Sequence, residues 1–325
     1  MSLFTEPKGR GVTPWLPVAL LLTGVGWGSN QITPMLLVYQ RTLSLSTGTV
    51  EAMFGVYALG LIPGLLVTGP VSDARGRRVV VIPAAALSTA GERRPRRRRP
   101  QAVAALRRSL PRRGEQRGSS GAAFGAATAW VHELSRPPYA DAGDHVAARR
   151  AALSMTFGFA LGPLVAGILA QWAPDPLVAA YLPHLALMAA VLAAIGASPE
   201  TVITRREPSL TRHLPTFDRS RFRRVVAPMA PWVFAAPAVA FALLPSVVGA
   251  ARATDGTAIV AGVTALCAIA GVAVQPLARC LDARGKASGA APVGLIVLTA
   301  SAVYLAARRQ PTDQLVAADA GAIST

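Results

Sequence analysis

The chain has 325 residues, of which 52% are hydrophobic and only 15% charged, and its mean hydropathy is +0.41. Soluble domains usually carry about 25% charged residues, so this composition argues against an ordinary soluble enzyme and for a chain that meets lipid. The net charge of +17 does not mark a nucleic-acid-binding face, because residues 91–117 alone hold eleven arginines and two glutamates and the rest is spread over short loops.

Taken in order, Pro14 to Tyr39 is the first candidate span, since crossing a bilayer takes roughly 20 apolar residues. It is long enough to span and no small-residue cleavage site follows it, so the expectation is an internal signal rather than a cleaved peptide. It contains Ser29-Asn30-Gln31 and Pro34, which a lipid-facing helix would not tolerate. After a polar turn, Val50 to Thr68 is the second span, with Glu51 expected to cap its outer end. Gly69-Pro70-Val71-Ser72-Asp73-Ala74-Arg75-Gly76-Arg77-Arg78 follows, a dense polar turn between apolar segments.

A third span starts at Val79 and fails after Ala90. An arginine at mid-bilayer costs about 2.5–3.5 kcal/mol, so the arginine-rich run 91–117 is not expected to cross. Apolar character resumes at Gly118. Leu134 to Arg150 reads as a loop, and Ala151–Trp172 and Leu177–Ala197 as spans. Residues 200–224 read as a basic linker. The later spans are Val225–Ala250, Thr257–Ala278 and Ala290–Ala307, and a polar tail follows Arg308. Cys267 and Cys280 form no disulfide framework.

Basic residues then set the orientation. With the N-terminus in the cytoplasm, loops 72–78, 134–150, 200–224 and 279–288 all fall inside and all carry Arg or Lys. The outside turns carry only Arg41 and Arg252. The expected location is a bacterial-type inner membrane, multi-pass, with the lipid bilayer as the constant partner.

The pattern Gly69-x-x-x-Asp73-x-x-Gly76-Arg77-Arg78 resembles the cytoplasmic signature loop between helices two and three of the major facilitator superfamily. Asp282-Ala283-Arg284-Gly285-Lys286 is similar to the repeat of that loop between helices eight and nine. Gly158-x-x-x-Gly162-Pro163-x-x-x-Gly167 resembles the helix-five segment of the drug and metabolite exporter branches. The resemblance covers nearly the whole chain except 91–117 and the tail.

It implies an all-α, polytopic transmembrane helix bundle of the major facilitator type. About seven to nine spans are countable here, where the family has about twelve. The expected organisation is an N-terminal six-helix half over 1–199, a cytoplasmic linker over 200–224 and a shortened C-terminal half over 225–325. The run 91–117 replaces the rest of helix three, a turn and the start of helix four at preserved length. A shifted reading frame in a GC-rich gene would produce that.

The resemblance also implies a secondary transporter working by alternating access, exporting a small molecule, with the proton as the candidate coupling ion. Asp73, Arg77 and Arg78 would be a cytoplasmic clasp, with Asp73 facing the N-terminus of another helix. The alternative is a merely topogenic basic loop. Asp282, Gly285 and Lys286 would be its counterpart in the second half. Gly162-Pro163 would bend helix five and Gly158 and Gly167 would allow close packing, or these are ordinary small-residue contacts.

Asn30 and Gln31 are the substrate-contact candidates, with interhelical hydrogen bonding as the competing role. His184 either titrates or bonds a neighbour. No carboxylate lies at mid-depth in a clear span, and Arg113 or Arg117 lies near the place of a helix-four arginine common in proton-coupled exporters. No enzyme signature, phosphate loop or metal-ligand spacing is present, so no cofactor and no catalytic residues are expected. Specific nucleic-acid recognition is not expected from an arginine run without interleaved aromatics. A transport-inactive membrane remnant is the alternative function.

Overall fold

The chain is described by a computed structural model covering residues 13–43, 68–90, 121–202, 223 and 254–283. The second span Val50–Thr68 up to residue 67, the run 91–117, the linker apart from residues 200–202 and 223, and the spans Val225–Ala250 and Ala290–Ala307 lie outside the described residues. So do Glu51, Gly285, Lys286, Arg113 and Arg117. Among the described residues the architecture is all-helical, with no strand.

The elements are α1 (Leu16–Asn30), α2 (Ile32–Leu43), the helical residues 68–75 (α3), α4 (Arg77–Ala90), the helical residues 121–134 (α5) and α6 (Asp144–Trp172). A one-turn α7 (Pro176–Ala179), α8 (Leu182–Ala194) with a 3-10 turn at Ile195–Ala197, and α9 (Gly256–Ala283) follow among the described residues. Among the described residues two stretches are long and apolar enough to cross a membrane: Asp144–Trp172, and Pro176–Ala197 taken as one.

Helix α1 lies at the centre. It is apolar on every side and buries Val18, Leu21, Leu22 and Val25; a helix hydrophobic all round belongs inside a bundle. Against it pack Val81 and Ala85 of α4, Trp130 and Leu134 of α5, and Met188 and Val191 of α8. A second cluster joins Met35 and Tyr39 of α2 to Ala166 and Ala170 of α6.

The first expected span is not one helix. It breaks at Gln31, between α1 and α2. Pro34 offers no N–H to the carbonyl of Asn30, so the helical ladder loses a rung there. The expected loop Leu134–Arg150 shrinks to about residues 135–143, because α6 starts seven residues before Ala151 with Gly143 as its N-cap. The expected span Leu177–Ala197 is interrupted at Ala180 and Tyr181, and Pro183 occupies the first turn of the restarted helix. Helix α9 extends past Ala278 to Ala283, so Asp282 sits on a helical backbone rather than in an open loop.

Candidate functional site

The signature loop is built on a tight helix-to-helix junction. Helix α3 ends at Gly76, whose N–H donates to the Ser72 carbonyl at 3.1 Å, and α4 begins at Arg77. Gly76 has φ +113°, a conformation that L side chains rarely adopt, and a Cβ there would stand 2.9 Å from Glu200 Oε2. The space a side chain would fill is taken by a carboxylate.

That carboxylate caps α4. Glu200 Oε1 accepts from the Arg77 N–H at 2.9 Å, and Oε2 accepts from the Arg78 N–H at 2.9 Å. The first N–H groups of a helix have no partner inside it, and the helix dipole favours negative charge at that end. Oε1 also accepts from the N–H groups of Thr201 at 3.0 Å and Val202 at 3.2 Å.

Arg77 is the centre of the cluster and is buried, with its side chain 8% exposed. It forms an ion pair with Asp73, one helical turn back, and Nη1 donates to Ser72 Oγ at 3.0 Å. Its other edge forks onto Glu133 at the end of α5: Nη2 to Oε1 at 2.6 Å and Nε to Oε2 at 3.2 Å. A two-pronged arginine–carboxylate contact fixes geometry as well as charge. The Thr201 hydroxyl donates to Glu133 Oε2 at 2.5 Å. Burial alone would lower the Arg77 pKa, but the hydrogen bonds and charges of Glu133 and Asp73 outweigh it and raise the guanidinium above the usual arginine range. The sign matters: the raised value stabilises the cation at every pH below it and is lost only on going more alkaline, so Arg77 is no pH switch.

Beyond the carboxylates, the segment 198–200 is pinned by its backbone and by Ser198. Trp130 Nε1 donates to the Pro199 carbonyl at 2.9 Å and the Tyr139 hydroxyl to the Glu200 carbonyl at 3.3 Å. The Ser198 hydroxyl donates to the Pro14 carbonyl at 2.8 Å, and Arg78 Nη2 to the Gly196 carbonyl at 3.3 Å. The start of the expected linker is thus tied to α4, α5 and the entry to α1.

Asp73 and Arg77 are in direct contact, Gly76 and Arg78 flank them, and Gly69 lies away from the cluster with nothing near its Cβ position. Glu200, which is not part of the motif, caps the α4 N-terminus. The sequence pattern assigns no site role to Glu133, and marks Glu200 only as the start of the linker. A signal existed for Glu133: it is the sole carboxylate of the apolar stretch 118–134 and sits at a helix C-terminus, where an anion needs a cation partner.

The second group of candidates lies in the seam between α1 and α8. Asn30 and Gln31 are both buried. Gln31 Nε2 lies 3.5 Å from His184 Nδ1, and His184 Nε2 lies 2.9 Å from the Gly24 carbonyl. A carbonyl only accepts, so Nε2 carries the proton and Nδ1 can accept from the Gln31 amide. Trp27 lies over the same ring, with centroids 6.1 Å apart.

The helix-five motif spreads along α6. A Cβ on Gly162 would stand 2.6 Å from the Trp27 carbonyl of α1, and one on Gly158 would meet the Thr23 carbonyl. Gly167 faces Ala261 and Thr257 of α9 and Pro34 of α2. Pro163 sits inside the helix and leaves the Phe159 carbonyl without its helical donor. At the end of α6, Gln171 Nε2 donates to the Thr254 carbonyl at 3.0 Å and to Asp255 Oδ1 at 3.3 Å. Asp282 belongs to α9 and lies far along it from these contacts. A groove of about 460 Å³ runs between α5 and α6, lined by Gly125, Thr128, Ala148, Ala152 and Met155, with His132 and Glu133 on its wall. Among the described residues no cluster of His, Cys, Asp or Glu could hold a metal ion.

Comparison with family models, with curated proteins and with solved structures finds no match.

Proposed function

We propose that the chain is a membrane transport protein of the major facilitator type, moving a small molecule by alternating access. The observation that carries this reading is the Asp73–Arg77–Glu133 cluster with Glu200 on the α4 N-terminus. Such a cluster does no covalent chemistry: its groups satisfy one another and leave no reactive atom poised. It locks helix ends together at one end of a bundle, and a lock is useful where helices must hold one of two arrangements. The motif spacing in the sequence supports the same reading.

On this reading α6 is the pivotal helix, since it packs on α1 through Gly158 and Gly162 and on α9 through Gly167. Gln31 serves the α1–α8 seam rather than an open pathway, so of the two substrate candidates Asn30 is the one to test first. The experiment is uptake of ethidium into inverted membrane vesicles containing the full chain. Uptake above that of empty vesicles, reduced at least severalfold by Asp73→Asn, supports the reading; no uptake by the parent chain under an imposed proton gradient or its absence sinks it.

One observation favours a second reading, a membrane remnant that no longer transports. Eleven arginines within residues 91–117 stand where apolar helices are expected, and each would be costly in a bilayer. The nucleotide sequence over residues 88–120 decides this: an apolar segment encoded in another frame favours the remnant.

A further inference from the structure

At the signature-loop end of the bundle, Arg150 stands outside the ion pairs. Arg77 is shared by Asp73 and Glu133. Asp144 takes Arg136, Nε to Oδ1 at 2.9 Å, and approaches His132 Nε2 at 3.7 Å. Among the described residues Arg150 has no such carboxylate. Its guanidinium carbon lies over the Trp15 ring, 4.3 Å from the centroid, and its Nη1 is buried without a hydrogen-bond acceptor. An aromatic face attracts the charge but does not accept that N–H in the way an oxygen does, and a buried donor with no acceptor is costly.

The place of Arg150 narrows what the acceptor can be. Trp15 follows Pro14, whose carbonyl is held by Ser198 two residues before Glu200, so this site lies at the signature-loop end. Arg149 beside it is exposed. Val146 and Phe157 are exposed too, 47% and 60%, and stand four and seven residues from Arg150, on the same strip of α6. Phe157 lies about 10 Å deeper along the helix. The strip therefore offers a cation at its end and bare apolar surface below it. The matching ligand has an anionic head and an apolar tail.

We propose that Arg150, held over Trp15, binds the phosphate of an anionic phospholipid whose acyl chain lies along Phe157. The site rests on the membrane reading above but not on transport. The shared chemistry with free phosphate is plain; the apolar strip is what assigns the site to lipid.

The test is native mass spectrometry of the full chain released from nanodiscs of phosphatidylcholine with added phosphatidylglycerol. The parent chain is expected to retain phosphatidylglycerol, and Arg150→Gln to retain about fivefold less, equivalent to the ~1 kcal/mol that one basic residue contributes at an anionic surface. Arg150→Lys keeps the charge, guards against misfolding, and is expected to fall between the two. Equal retention by all three overturns the site. So does inorganic phosphate in pure phosphatidylcholine nanodiscs if it alone gives Arg150-dependent binding, since that assigns the contact to the free ion. A chain recovered outside the nanodiscs refutes the membrane reading and the site with it; a chain that inserts yet holds phosphatidylglycerol independently of Arg150 refutes the site only.

Discussion

Gly76 and Glu133 show how single residues make the signature cluster. Gly76 is required twice over, by its positive φ and by the Glu200 carboxylate 2.9 Å from its would-be Cβ. Alanine at a positive-φ glycine destabilises by more than the ~0.4–1 kcal/mol that it would gain at a compatible site, so Gly76→Ala is expected to lower the melting temperature in detergent and to loosen the segment around Glu200. Glu133 takes both prongs of a buried arginine but is itself one-third exposed. Removing one partner of a fully buried pair costs ~3–5 kcal/mol; with that exposure, Glu133→Ala is expected to cost about 1–3 kcal/mol in the same melt. Glu133→Gln should recover part of it, because the amide oxygen still accepts one prong. Equal stability of Glu133→Ala and the parent would show that Asp73 alone holds Arg77.

At the scale of elements, the contact between α1 and α6 rests on backbone approaching backbone. Gly162→Leu must push the Trp27 carbonyl away, and overpacking of this kind costs ~1–3 kcal/mol. Gly262→Leu on α9 has nothing within 4 Å of its Cβ and is exposed, so it should be neutral. Size-exclusion recovery and thermal melts of the two variants check this, and equal loss in both would refute a glycine-mediated α1–α6 contact. These elements were partly legible in the sequence. Long apolar runs located α1, α6, α8 and α9, because burial and bilayer crossing demand the same residues. The first two turns of α6 escaped, since His145, Arg149 and Arg150 read as loop although nothing in them breaks a helix. The interruption before Pro183 escaped for the opposite reason, as apolar residues ran straight through it. Asp73 and Arg77 were legible from their spacing. Their partners Glu133 and Glu200 lie 56 and 123 residues from Arg77, and no local pattern joins residues so far apart.

For the whole molecule, the decisive question is which way the helices run. Helix α6 has 29 residues, hence a length of about 43 Å against a hydrocarbon core of about 30 Å, so its two ends must lie on opposite sides if it crosses. The first turns of α6 and the loop before them carry Arg149, Arg150 and Arg136 and lie with the signature loop, which adds Arg75, Arg77 and Arg78. The end after it carries no basic residue before Asp175. The positive-inside rule then puts Asp141 in the cytoplasm and Asp175 outside. The check uses intact cells and a chain whose Cys267 and Cys280 are changed to serine. A membrane-impermeant maleimide is expected to label Asp175→Cys from outside and to reach Asp141→Cys only after the cells are opened. The reverse pattern would invert the orientation and move the arginine cluster to the outer face, against the charge bias. Labelling of both positions from one side would mean that α6 does not cross, and with it the transporter reading would fall, because that reading makes α6 the helix on which α1 and α9 both pack.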